Sequence, residues 1–349
     1  MKRTLRTAVI GLGWAGTVHA RVLSRMEGID LVAVADSDPE QLARYPSLHQ
    51  ATHMEQLLHL GLDYCVVATP TETHEEIGLM LAAAGINALI EKPLASNLAA
   101  AVRLADAFDH EGLMACVGHT ERRNPAIRDL AGRLHAGDYG SIYAIATRRH
   151  SPFPDRIRDV GVVTDIGIHD VDLVTWLTGR RIRSVTAHIA HISGGPHEDF
   201  ATATCVLDNG VLATLQLSRI APFKERTITL FTSAGCVTVD AITRTVDHTT
   251  NAALGSDRGL RNGFPGMDAG SITRFQVSGL EPFHVQNLAF RDALLGLPAQ
   301  LVTLREGVAA VAATEAILSS ARTGTSATVS WPGRDHGLAA FLIAERTSS

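Results

Sequence analysis

The first third of the chain alternates short apolar runs with amphipathic stretches. Residues 7–10 form a compact apolar run that meets glycines at once, and Val18, Val22 and Leu23 follow at helical spacing. Further apolar runs at 31–35, 64–68, 88–90 and 113–117 read as buried strands, and 56–60, 73–84 and 98–108 between them read as helices. Strands and helices in regular alternation predict a doubly wound α/β sheet of the Rossmann type.

The pattern changes after about residue 122. A helix over 125–134 ends at Ala136-Gly137-Asp138, and 142–148 alternates as a strand. A helix over 164–176 is followed by strand-like runs at 185–190, 201–207, 211–218, 226–231 and 236–240. Turn signals at Asp208-Asn209-Gly210 and Ala234-Gly235 join several of them as hairpins. The chain thus divides into a Rossmann domain, 1–122, and an α+β domain, 123–349, with a largely antiparallel open sheet. In 201–218 Thr, Val and Leu alternate with few charges, so that sheet face needs a cover, from helices or from another subunit. Residues 243–279 have weak periodicity. Helices follow at 285–295 and 304–323, and the tail after Trp331 reads as a short docked helix.

Composition narrows the function. At 349 residues, 46% hydrophobic and 19% charged, the chain suits two folded domains. A net charge of -5 speaks against nucleic-acid binding. Cys65, Cys116, Cys205 and Cys236 are scattered and form no C-x-x-C pair, which suits reduced thiols in a cytoplasmic protein. The basic start at Lys2, Arg3 and Arg6 resembles a signal peptide, but Gly11, Gly13 and Gly16 break its apolar run. No apolar run reaches membrane-spanning length, so no membrane partner is expected.

The glycines carry the first chemistry. Gly11-Leu12-Gly13-Trp14-Ala15-Gly16 sits between a strand and a helix and matches G-x-G-x-x-G, a turn that lays pyrophosphate on a helix N-terminus. The strand at 31–35 ends in Asp36, twenty residues beyond Gly16, where a carboxylate would hold the ribose hydroxyls. Asp36, with Ser37 and no Arg beside it, favours NAD over NADP. Beyond the next strands lie Thr69, Pro70 and His74, then Glu91-Lys92-Pro93. Ligands of such sheets bind past the carboxyl ends of the strands, so these residues border the cofactor. Lys92 would sit at the nicotinamide end, where an ammonium stabilises a developing alkoxide.

On a helix at about 100° per residue, Asp165, His169 and Asp172 fall within roughly 60° of one another, while Asp170 points elsewhere. A carboxylate beside imidazole fixes its tautomer and supports its cation, as a general base requires. The alternative is an Asp165 that caps the helix and a His169 satisfied in the core.

Together and in this order, the glycine turn, Asp36, Ala68-Thr69-Pro70 with His74, Glu91-Lys92-Pro93 and Asp165-x-Gly167-x-His169-x-x-Asp172 resemble the Gfo/Idh/MocA family of NAD(P)-dependent sugar and cyclitol dehydrogenases. The resemblance runs from Thr7 to about Ser330. It implies a catalytic trio of Lys92, Asp165 and His169, with no metal, and an open sheet that joins subunits into a homodimer or homotetramer. The family often has Glu-Pro-Leu followed by Glu-Leu before the last helices. Here Glu281-Pro282-Phe283 is kept, and Gln286-Asn287-Leu288 replaces the second part.

Two stretches are candidates for choosing the substrate: 118–125, with His119, Arg122 and Asn124, and 148–158, with Arg148 and Arg156. Eight arginines face five acidic residues over 119–159, and guanidinium matches phosphate bidentately. Arginines paired with Glu121, Asp155 and Asp159 at the surface are the alternative. Both stretches are similar to the branch containing UDP-N-acetylglucosamine 3-dehydrogenases, although Arg123 stands where that branch commonly has Phe. The expectation is therefore oxidation at C3 of a nucleotide-activated or phosphorylated sugar. An inositol-type cyclitol dehydrogenase and a non-catalytic NAD-binding redox regulator are the alternatives.

Overall fold

The structure, a computed structural model, describes residues 3–153, 160–251 and 270–331. The helix expected after Trp331, the centre of 243–279 and Arg156 lie outside these residues. The chain forms two compact units. No helix among the described residues is long and apolar enough to cross a membrane.

The first unit is built on six parallel strands: β1 (Leu5–Ile10), β2 (Ile29–Ala35), β3 (His49–Ala51), β4 (Tyr64–Val67), β5 (Asn87–Glu91) and β6 (Ala115–Gly118). Their order is β3-β2-β1-β4-β5-β6, so the winding reverses between β1 and β4. That switch point opens the crevice in which such sheets take ligands. Helices α1 (Trp14–Leu23), α2 (Pro39–Leu42), α3 (His74–Ala83) and α4 (Leu98–Glu111) make the connections, with 3-10 turns at Met54–Leu57 and Thr71–Thr73. The helix expected over 56–60 is only that first turn. β3 was not expected, because its His-Gln-Ala sequence offers no apolar run at the sheet edge.

The second unit carries a nine-stranded sheet. Its strands are β7 (Ile142–His150), β8 (Ile182–Ala190), β9 (Phe200–Leu207), β10 (Leu212–Ser218), β11 (Glu225–Thr232), β12 (Gly235–Asp240), β13 (Thr245–Thr250), β14 (Ile272–Gln276) and β15 (Ala327–Thr328). The order is β14-β13-β12-β11-β7-β10-β9-β8-β15. Every neighbouring pair is antiparallel except β7 with β10. β13 and β14 fall in the stretch whose periodicity is weak, since β13 is polar and half-buried around the single apolar Val246 and β14 is mostly exposed. Helix α5 (Pro125–Ala136) lies on β12 and β13, and α6 (Ile168–Thr178) lies against β7.

After β14 the chain returns to the first unit, which takes in Leu280–Glu315. Helix α7 (Pro282–Leu294) inserts Phe290, with no solvent exposure, into the same apolar cluster as Leu5, Leu23, Tyr64 and Leu89. Its ring meets Tyr64 edge-on at 5.3 Å between centroids. Helix α8 (Leu304–Thr323) follows. This differs from the division in which 123–349 forms one body. Amphipathic spacing shows that α7 has an apolar face, but not which sheet that face covers.

Candidate active site

The glycine loop is shaped by how closely its backbone approaches its neighbours. Gly11 has a φ of +86°, and a Cβ there would lie 2.6 Å from the carbonyl oxygen of Ala68. A Cβ on Gly16 would lie 1.7 Å from the Gly11 oxygen, so α1 can meet the strand end only without a side chain. Gly13 is different: a Cβ there would meet nothing within 4 Å. It precedes an α1 with no side-chain cap and no acid in its first turn, so the first amides of α1 remain available to an anion. A pyrophosphate fits this cradle. Trp14, 61% exposed, stands at the rim with its ring edge-on to Phe283, and Ala15 is half-buried beside it.

Asp36 closes the cradle on the β2 side. Its Oδ2 accepts the Leu12 N–H at 2.6 Å and its Oδ1 accepts the Asp38 N–H at 2.9 Å. Each oxygen keeps lone-pair capacity for a ribose hydroxyl. The carboxylate is thereby fixed to the loop it serves.

His74 and Glu91 are both buried and held by protein groups. The buried His74 ring spans two loops, with Nδ1 2.8 Å from the Pro93 oxygen and Nε2 3.0 Å from the Thr69 oxygen. Burial pushes its pKa down, against the upward pull of those carbonyls and of Glu91. A neutral imidazole donates to only one of the two carbonyls, so the ring is bonded to one of the Thr69-Pro70 and Lys92-Pro93 loops and packs against the other. Thr69 Oγ1 accepts from Thr73 Oγ1 at 2.7 Å, and Pro70 is exposed at the loop tip. Glu91 is 7% exposed, with Oε1 3.1 Å from Nε2 of His19. The Lys92 N–H donates to Glu91 Oε2 at 3.3 Å, and the Lys92 side chain is half-buried.

In the second unit, the segment expected to be one α-helix begins as a π-turn, Val163–Gly167, before α6 starts at Ile168. Asp165 sits in the π-turn, 7% exposed, and His169 is half-buried one residue into the α-helix. The uniform 100° step therefore fails over the first turn. π-turns of this kind often accompany functional residues. The turn packs closely at its end: a Cβ on Gly167 would lie 2.5 Å from Cδ1 of Leu217 on β10. Asp170 does point elsewhere, pairing with Arg149 of β7 at 2.7 Å, both side chains almost fully buried. Asp172 is 1% exposed.

Two residues invisible to sequence reasoning hold the lead-in to this helix, and a third, Asp199, holds the loop before β9. Glu198 accepts the Val163 N–H at 3.0 Å, and its carboxylate fills the space a side chain at Gly161 would need. Arg219 donates to the Val160 oxygen at 2.6 Å, and the buried Asp199 accepts the N–H groups of Ile192 and Ser193. An acid pair before a strand and an arginine after one are ordinary loop composition, so no sequence signal marked them.

The residues expected to choose the substrate have surroundings of their own. Arg122 is buried and paired to Glu306 at 2.7 Å. Arg148 pairs with Glu225 at 3.0 Å and, because Arg149 faces α6, alternation places it on the opposite face of the sheet. Asn124 caps α5, accepting the Ala126 N–H at 3.0 Å and donating to the Ala241 oxygen at 2.8 Å. His119 is buried at the end of β6.

Comparison with known proteins agrees with this architecture. Residues 5–119 match the profile described as "Oxidoreductase family, NAD-binding Rossmann fold", and 127–238 match the GFO/IDH/MocA C-terminal domain. Inositol 2-dehydrogenase 2 of Saccharopolyspora erythraea is 28% identical over 93% of this chain and 96% of its own length. Myo-inositol dehydrogenase Hyg17 of Streptomyces leeuwenhoekii is 35% identical over 62% of this chain and 71% of its own. Among solved structures, UDP-N-acetylglucosamine 3-dehydrogenase of Acidithiobacillus ferrooxidans superposes with a TM-score of 0.80 at 26% identity, covering 92% of this chain and 98% of that one. With both halves matched and the nucleotide cradle formed, the chain belongs to the Gfo/Idh/MocA family of dehydrogenases, and its first unit is that family's NAD-binding Rossmann fold.

Proposed function

We propose that this dehydrogenase oxidises a secondary hydroxyl, the one at C3, of a nucleotide-activated sugar. The observation that carries the reading is the presence in one chain of two features: Lys92 directly after β5 at the ligand end of the Rossmann sheet, and Asp165 with His169 at a π-to-α junction of the second unit. NAD, when bound in the glycine cradle, supplies the hydride acceptor. His169 takes the hydroxyl proton, and Asp165 orients the imidazole and supports its positive charge. The Lys92 ammonium stabilises the oxygen as it loses the proton. A redox regulator would have no use for a base in this position.

The sugar class rests on likeness to the UDP-N-acetylglucosamine 3-dehydrogenase over nearly the whole chain. A cyclitol is the second reading, favoured by the two inositol dehydrogenases and by the engagement of Arg122 and Arg148 with carboxylates. The subunit contact belongs on the sheet face of the second unit that carries Arg148, where Thr204, Thr214, Thr227 and Thr229 line a shallow groove beside the exposed Phe231. That surface suits a homodimer or homotetramer. Four unpaired cysteines are consistent with a cytoplasmic enzyme.

NADH formation with UDP-N-acetylglucosamine and with myo-inositol separates the two substrate readings. His169→Ala should lower kcat at least a hundredfold, within the roughly 10²–10⁴ range for a general base, while NADH still binds. A variant with near-normal kcat per folded molecule would remove the mechanism.

A further inference from the structure

Three buried polar side chains meet beneath the Lys92 loop, from three separate parts of the sequence. His19 on α1 and Asn287 on α7 have no solvent exposure, and Glu91 at the end of β5 has 7%. Nδ2 of Asn287 donates to the Phe283 oxygen at 2.8 Å and lies 2.9 Å from Nδ1 of His19. The Asn287 oxygen is farther from that ring nitrogen, at 3.3 Å. An amide N–H aimed at Nδ1 makes it an acceptor, so the ring proton sits on Nε2 and is donated to Glu91 Oε1 at 3.1 Å. The other Glu91 oxygen accepts the Lys92 N–H. The same Oε1 lies against Gly118, where a Cβ would be 2.4 Å away.

A buried set of this kind costs free energy that apolar residues of the same volume would not. Its place under Lys92 gives it a purpose. We propose that His19 and Asn287 are positioning residues for hydride transfer: they hold the Glu91 carboxylate in the orientation that anchors the Lys92 backbone, and so set where the lysine ammonium is presented. The departure of Gln286-Asn287 from the family's Glu-Leu then has a physical role, because Leu at 287 could not fix the His19 tautomer. The titratable groups around Glu91 are His19 from α1, Lys92 beside it, His74 from α3 and Cys116 from β6. This inference rests on the reading of Lys92 as the oxyanion-stabilising group.

Two measurements test it. In the substrate-free protein, His19→Leu and Asn287→Leu should each speed hydrogen exchange at the Lys92 amide at least fivefold. His19→Gln, which keeps an N–H donor, should restore much of the protection. Unchanged exchange in both leucine variants would overturn the proposal. The second measurement is a cycle with Lys92→Ala, using whichever of UDP-N-acetylglucosamine and myo-inositol is turned over. His19→Leu should lower kcat about tenfold with the Kd for NADH within twofold, yet cost less than twofold further on the Lys92→Ala background. Losses that multiply in full would mean His19 acts by another route, and overturn the proposal while leaving the role of Lys92 intact. A Lys92→Ala enzyme with wild-type kcat would instead sink the functional reading, and with it the catalytic part of the proposal. Asn287→Leu carries the same cycle should His19→Leu fail to fold.

Discussion

Asp36 should make the enzyme reject NADP, and the size of the effect can be worked out. Both carboxylate oxygens are held by loop amides, at 2.6 Å from Leu12 and 2.9 Å from Asp38, so the group cannot swing away from an incoming phosphate. Two unit charges at about 4 Å repel by about 1 kcal/mol at the dielectric of water and about 4 kcal/mol at an effective value of 20. A half-exposed carboxylate facing a phosphate of about two charges therefore costs at least roughly 2 kcal/mol. Loss of a charge-assisted bond to the ribose adds about 1.5–3 kcal/mol. Discounting for screening, roughly 2–4 kcal/mol remains, which is about thirtyfold to several hundredfold in Kd. Fluorescence titration with NADH and NADPH would measure the ratio directly. Asp36→Ser should raise the NADH Kd and bring the ratio within about threefold. Equal affinities in the wild type, or a ratio that Asp36→Ser leaves intact, would show that this carboxylate does not face the ribose.

Three other outcomes follow from burial and pairing. Asp170→Asn removes the carboxylate paired at 2.7 Å with the buried Arg149 guanidinium, and should cost about 3–5 kcal/mol in urea unfolding; a change below about 1 kcal/mol would mean the charge of Asp170 is dispensable there. The His74 pKa is held below its ordinary value, so its contribution to stability is present above about pH 6.5 and is lost as the pH falls through the lowered value. His74→Gln should flatten that acid slope in melting curves, and an unaltered slope would count against it. Burial pushes Cys65 and Cys205 up to about 12 and Cys116 higher still, so a thiol reagent at pH 8 should label the half-buried Cys236 first in the native protein; equal labelling of all four would refute the burial.

Much of this was legible in the sequence because it depends on short-range pattern. A strand that ends in three spaced glycines, an acid twenty residues on, and Lys92 after an apolar run all specify local backbone, and local backbone is what hydrophobic spacing encodes. The π-turn was hidden because apolar spacing does not distinguish it from an α-turn, and the close approach that leaves no room at Gly167 comes from Leu217, fifty residues away. Arg148 and Arg149 are chemically the same residue in sequence. Only the parity of β7 against α6 decides that one is a buried partner of Asp170 and the other faces away. Arg122 and Asn124 were read as ligand contacts because arginine and asparagine suit that work equally well as they suit pairing with Glu306 or capping α5.

The insertion of Phe290 among the strands of the first unit has a consequence for biosynthesis. The ribosome completes β1 to β6 long before it makes α7, with Asn124–Gly279 of the second unit translated in between. Until residue 290 has emerged, the nascent sheet presents an uncovered apolar hollow lined by Leu5, Leu23 and Tyr64. A fragment ending near Arg123 should therefore be poorly soluble despite carrying every strand of its sheet. Joining α7 to that fragment through a short linker should rescue it. For this chain, the order of synthesis and the order of assembly cannot coincide.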